Sequence, residues 1–354
     1  MMHRDRFIGR FLMVALSLVL LTHSAEAQAA EKYSVQGHTT LPGPVHWDYL
    51  FDDGDAHRLY LTRDDHVDVI DTRTMKTVGT IADSPGVHGV AVAHDTGKGY
   101  VTNGKTGSVG VFDLKTLKPI TTITTAADSD GIVYDASSHL IALASGDSDS
   151  LPLIDARDDK VIATVALPGK PEFLAVDGKG HAFVNINDKN LLVKVDLAAH
   201  AVLAAYDLAP TCTSPAGLAI DAATGYLFVG CHNQIMVVVD GQNGKILSSL
   251  PIGKSNDAVA FDNGRRLAFA SNGDGTLTIV GLDKGGTYSV RQIVTTMPAS
   301  RTLALDETTH RIYLAGAITD HIDPPTTDHP HPRPQFREGS FMVISVDTTP
   351  HASK

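Results

Sequence analysis

The sequence predicts an all-β fold, a seven-bladed β-propeller, with the ring closed by an N-terminal strand that completes the last blade. Three observations predict it. First, short apolar runs end in Asp at Asp71, Asp113, Asp155, Asp196, Asp240, Asp283 and Asp347, with gaps of 42, 42, 41, 44, 43 and 64 residues. A repeat of about 40–45 residues built from short apolar strands marks a propeller, and the last gap is the same unit carrying an insertion. Second, the last unit stops early: after FMVISVD only TTPHASK follows, which leaves no room for a fourth strand. Third, YSVQGHTTLPGPVHWD (Tyr33–Asp48) aligns with KVIATVALPGKPEFLAVD (Lys160–Asp177), including Leu-Pro-Gly. The missing strand is therefore expected at Tyr33–Leu41, pairing the two ends of the chain and covering an open sheet edge.

Residues 1–27 read as a secretory signal peptide. Arg4, Arg6 and Arg10 precede the apolar run Phe11–Leu21, and Ala25-Glu26-Ala27 offers an A-x-A cleavage site. The run is too short to span a bilayer comfortably, which argues against an uncleaved anchor. The expected location is periplasmic or secreted, with no stable membrane insertion after cleavage and residues 28–354 forming a single domain. Formal net charge is −11, and removing the leader's three Arg and two acids makes it −12. Nucleic acid is an unlikely partner for such a chain, since phosphate neutralisation dominates that affinity.

The blades follow in order. Blade one covers Trp47 to Gly86, blade two Val87 to Asp128, blade three Ser129 to Lys170 and blade four Pro171 to Cys212. Blade five covers Thr213 to Lys254, blade six Ser255 to Ala299, and blade seven starts at Ser300. Each reads strand, turn, strand, loop, strand, Asp-led turn, strand; in blade five these are AGLAID, YLFVGC, IMVVVD and KILSSLPIG. The two cysteines, Cys212 and Cys231, fall at one end of blade five. In an exported protein such a pair points to a disulfide. A pair of thiol metal ligands is the competing reading. The sequence has no C-x-x-C-H for covalent haem.

GYVTNGKTGSVGVFDLKTLKPI (Gly99–Ile120) contains a literal Tyr-Val-Thr-Asn, with weaker copies in LYLTRDDHVDVIDTRTMKTV, AFVNINDKNLLVKVDLAAHAV and AFASNGDGTLTIVGLDKG. The chain thus resembles the YVTN-repeat (YncE-like) bacterial β-propeller family, from about Tyr33 to Asp347. The resemblance implies architecture more than chemistry, because related propellers include lactonases, the haem d1 domain of nitrite reductases and proteins without assigned activity.

Residues that recur build the scaffold. The strand-ending Asp residues, and a second series at Asp53, Asp135, Asp177, Asp221, Asp262 and Asp306, are expected to accept backbone N–H bonds in tight turns. Five residues ahead of that second series lies a set that varies: Asp48, Asp130, Glu172, Ala216, Asp257 and Arg301, with His88 at the matching place in blade two. These positions open the innermost strand of each blade and are expected to ring one mouth of the central channel. Four carboxylates with an imidazole suit a divalent metal ion, with His88 and Glu172 as ligands; otherwise the mouth is polar and hydrated. His46 and Trp47 sit at the rim. Loops between second and third strands add Arg63, Asp64, His66, Asn103, Asn187, His232, Asn233, Asn272 and Asp274.

The insertion Gly316–Ser340 holds five prolines and the histidines His321, His329 and His331. Proline argues against regular strand or helix there, so a flap over the ring face is expected, with His329 and His331 as further metal ligands. The sequence carries no G-x-S-x-G, H-E-x-x-H or P-loop, and its Asn/Asp/Gly loops lack the flanking helices that phosphate or EF-hand sites need. The first expectation for function is a ligand- or protein-binding scaffold module using its channel face, on a small molecule or a protein partner. Arg301 would pair with an anionic group and the flap would cover the ligand. The alternative is a metal-assisted hydrolase of lactonase type, and a third possibility is contact with a redox partner or non-covalent haem.

Overall fold

The computed structural model describes residues 32–324 and 334–348. Among them are seven four-stranded antiparallel sheets, one two-stranded ribbon and three short 3-10 turns. Blade two is representative: Val87–Ala93 innermost, then Lys98–Asn103, Ser108–Asp113 and Pro119–Thr124 at the outside. Innermost strands of successive blades touch all the way round, including that of blade seven against that of blade one.

Middle strands are covered on both faces by the neighbouring blades, so they read as continuous apolar runs and not as alternating ones. Leu140–Ser145 is buried at every position, whereas the outer strand Lys160–Ala166 of the same blade is mostly exposed. The core is accordingly divided into clusters between adjacent blades. Leu151, Leu153, Leu174, Val184 and Val193 fill the seam between blades three and four.

The ring closes as expected. Tyr33–Thr40 pairs antiparallel with Met342–Thr348, from Tyr33 opposite Thr348 to Thr40 opposite Met342, and forms the outer edge of blade seven. The same strand locks onto blade six. The Tyr33 ring meets Phe269 edge-on at 5.2 Å, and Gln292 accepts from Tyr33 N at 3.0 Å and donates to Tyr33 O at 2.6 Å.

Both Asp series hold turns. Asp71 Oδ1 accepts from the backbone N–H groups of Arg73 and Thr74 at 2.9 and 3.0 Å, and Asp113, Asp155, Asp196, Asp240 and Asp283 do the same two or three residues on. Asp347 differs: it accepts from the next residue, Thr348, and pairs with Arg311 at 3.3 Å. The second series behaves alike, as in Asp306 accepting from Thr308 N at 2.8 Å.

The insertion departs from expectation at its base. Thr319–Ile322 and Pro334–Phe336 pair as an antiparallel ribbon. Proline permits this because one strand ends before the first of the five prolines and another proline opens the second strand, where a missing N–H costs least. His329 and His331 lie outside the described residues.

Cys212 and Cys231 form a disulfide, 19 residues apart, buried beside Leu208, Leu218 and Val229. Closing a loop of that length restricts the unfolded chain by about 3 kcal/mol. The Cys212→Ser/Cys231→Ser protein is expected to lose about that much stability in urea denaturation; an unchanged midpoint would contradict it. No helix among the described residues is long and apolar enough to cross a membrane.

Candidate functional site

The channel mouth is built from a repeated irregularity. In five blades the innermost strand breaks register at the ring position: between Val87 and Val90, Ser129 and Ile132, Pro171 and Leu174, Pro215 and Leu218, and Asn256 and Ala258. Bulges re-aim side chains and leave backbone groups without ladder partners. Buried polar side chains on second strands, of the same blade or of the one before it, supply partners at the mouth in blades one, two, five and seven. Thr102 Oγ1 accepts from Gly89 N at 2.9 Å and His88 N at 3.3 Å. Thr62 Oγ1 donates to Tyr49 O at 2.9 Å and accepts from Asp48 N at 3.2 Å. Asn185 donates to Ala216 O at 2.8 Å, and Ser271 donates to the carbonyl of Arg301 at 2.5 Å. These four are the third residues of the Tyr-Val-Thr-Asn-like segments. The motif that suggested a family is thus the support of the ring.

The ring residues fall into two groups. On one side His88 Nδ1 meets Asp48 Oδ2 at 2.6 Å and Asp130 Oδ1 at 3.2 Å. Asp128, which the sequence reading passed over, joins them: His88, Asp128 and Asp130 offer ligand atoms all within 4.8 Å of one another. The His88 ring lies close over Gly104, where a Cβ would come within 2.8 Å of Nε2. On the other side Arg301 Nε pairs with Asp257 Oδ2 at 3.1 Å. Beneath them Tyr49 and Phe173 stand 5.0 Å apart, ring to ring, across the channel from blades one and four.

Negative charge is in excess here, and the titration directions follow from it. Burial pushes Asp130 up to about 6, with His88 pulling the other way. Burial, then the charges of Asp257 and Asp130, push Glu172 up to about 7. Burial holds Asp257 at about 6 despite Arg301. For His88, burial favours the neutral ring, but the Asp48 hydrogen bond and the Asp130 charge outweigh it and raise its pKa. Tyr49 is raised well above its usual value by burial and then by Asp257, Asp48, Glu172 and Asp130. Burial and the Arg301 charge depress His232.

These shifts set a pH dependence. A carboxyl raised in the folded state binds more protons folded than unfolded between its two pKa values, so it removes stability as pH rises through that range. His88 acts in the same direction, since its raised pKa gives stability that is full below the unfolded value and lost above the folded one. Thermal stability without added metal is therefore expected to fall between about pH 5 and pH 7, with Glu172→Gln flattening the upper part of the decline. A melting temperature that climbs across this window would contradict the assignment.

The rim forms a pocket of about 530 Å³ between blades six, seven and one. His46, Trp47, Asp48 and Arg301 form its walls, and Thr319, Ile322, Pro334 and Phe336 of the ribbon cover it. Trp47 lies between Phe336 and Phe341, at 5.0 and 5.4 Å. Its place is fixed from behind by Arg63, which is buried, pairs with Asp68 at 2.7 Å, lies 4.0 Å over Phe341 and takes the His46 carbonyl at 3.2 Å.

Other loop residues lie elsewhere. Asn103 and Asn272 are buried within their blades. Asn103 donates to Ser108 Oγ at 3.2 Å, and Asn272 is used by Thr276 and Thr278. Arg63 is equally internal. Asn187 donates to Pro215 O, and Asp274 accepts from Lys254 N, so both brace neighbouring loops.

No family model and no curated protein matches the chain. Solved structures do. A Kuenenia stuttgartiensis hydrazine synthase chain superposes with a TM-score of 0.67 at 17% identity, covering 79% of this chain and 94% of that one. U3-55K gives 0.73 at 10% identity, covering 88% and 99%. The RRP9 WD40 repeats give 0.74 at 10% identity, covering 90% and 100%. At such identities the likeness is one of fold.

Proposed function

We propose that the channel face is a divalent-cation site built on His88, Asp128 and Asp130, and that it serves hydrolysis of a lactone or related ester. The observation that carries this reading is the approach of one imidazole and two carboxylates to within 4.8 Å at a concave mouth. The donor set fits a small hard or borderline cation, and three protein ligands leave positions open for water and substrate. Held there, such a cation supplies a Lewis acid for the ester carbonyl and lowers the pKa of the water it binds. The chain's own residues do the rest. Asp48 fixes the orientation of His88 through the 2.6 Å contact. Glu172, held near 7, stands ready to take or return a proton at neutral pH. The chain is further read as an exported YVTN-type propeller, on the Tyr-Val-Thr-Asn segments, the leader and the disulfide.

The covered pocket beside Arg301 favours a second reading, a binding module without catalysis. Metal analysis of protein purified without chelator or His tag separates the two. Stoichiometric divalent metal, with lactone hydrolysis lost on chelation and restored by the metal, supports the hydrolase. Metal-free protein that still binds ligand leaves the module.

A further inference from the structure

We propose that the pocket beneath the ribbon is a carboxylate subsite, in which Arg301 takes the carboxylate of a small organic acid whose flat apolar body lies against Trp47 and Phe336. This rests on the hydrolase reading only for what that carboxylate is attached to; the subsite itself stands on the pocket.

Three observations carry it. The first is layering. Asp257 is 10% exposed and Arg301 is 53% exposed, so the guanidinium covers its carboxylate partner and presents its outer edge to the pocket. Its Nε serves Asp257, while Nη1 and Nη2 form no hydrogen bond among the described residues. Two parallel N–H groups on a planar edge match a carboxylate in bidentate fashion. The second is the charge of the walls. The titratable groups lining the pocket are His46, Asp48 and Arg301. Asp48 is turned to His88 at 2.6 Å, so the guanidinium is the charged group left to meet a ligand. The third is shape. About 530 Å³ bounded by Trp47, Phe336, Ile322 and Pro298 lies in the range of small-molecule sites. Two aromatic side chains 5.0 Å apart give a flat body a surface to lie on.

Trp47 is the sole tryptophan, so its emission reports on this pocket directly. Full-length protein is treated with chelator, dialysed, and titrated with benzoate and with benzamide, which has the same ring and no charge. Benzoate is expected to change Trp47 emission saturably and to bind at least about tenfold tighter than benzamide. Arg301→Gln should bring benzoate down to the benzamide level, and Arg301→Lys should keep part of the difference. Equal binding of the two ligands by the unmodified protein overturns the proposal, as does benzoate binding that Arg301→Gln leaves intact. Benzoate binding by the metal-free protein, with no lactone hydrolysis after divalent metal is restored, refutes the hydrolase reading and leaves the subsite standing.

Discussion

A chain lacking Tyr33–Thr40 is expected not to reach the folded state. The strand supplies the outer edge of blade seven through seven paired positions with Met342–Thr348. It also carries that edge across to the Gln292 strand of blade six, through two hydrogen bonds with the Tyr33 backbone. Tyr33 is 3% exposed and packs with Phe269, Leu277, Leu303 and Ile344. Truncating one such buried aromatic costs about 3–5 kcal/mol, against a total stability of about 5–15 kcal/mol for a typical domain. Losing the whole strand adds an unpaired edge, which invites aggregation. The truncated protein should therefore appear in the insoluble fraction, or as a species without a cooperative urea transition. Tyr33→Ala is the milder form, with the unfolding midpoint expected to drop by the equivalent of about 3 kcal/mol. A truncated chain that unfolds cooperatively at the wild-type midpoint would show that closure contributes little.

His88→Ala is expected to abolish stoichiometric divalent binding and, with it, lactone hydrolysis. It removes the imidazole and leaves Asp48, Asp128 and Asp130 as carboxylates without the group that orders them. Asp48→Asn is the finer probe, because Asp48 acts on the imidazole. Loss of such a partner typically lowers metal affinity about 10–100-fold. Calorimetric titration with zinc, calcium and magnesium reads both effects, and the circular dichroism spectrum checks that the blades remain. Unaltered metal content in His88→Ala would end the assignment of the cation to this cluster.

The scaffold was legible in the sequence because it is repeated. A turn Asp obeys the same physics six times and an apolar middle strand recurs in every blade, so Asp71, Asp113 and Asp155 identify each other by spacing. The same spacing picked out Asp48, His88 and Asp130, which meet, and Asp257 and Arg301, which pair. What the ring does depends on contacts between blades that spacing does not encode. Asp128 escaped notice because it lies two residues ahead of the ring position, at a left-handed loop residue (φ of 52°) whose counterparts Gly86, Ser214, Ser255 and Ala299 carry no charge. Tyr49 occurs once, and only its meeting with Phe173 from a distant blade gives it meaning. The bulges, and the reach of Thr62, Thr102, Asn185 and Ser271 to the backbone at the mouth, depend on pairing between strands and blades. Asn103 and Asn272 were assigned to the open face from loop polarity, but their amides have nearer partners inside the blade. The ribbon at Thr319–Ile322 was hidden by the prolines around it.

The Tyr49–Phe173 pair couples two blades that are not neighbours in the ring. Substitutions at side chains in contact usually fail to add. Replacing either ring by Ala should therefore loosen both walls of the tunnel, and the double replacement should cost less than the sum of the two.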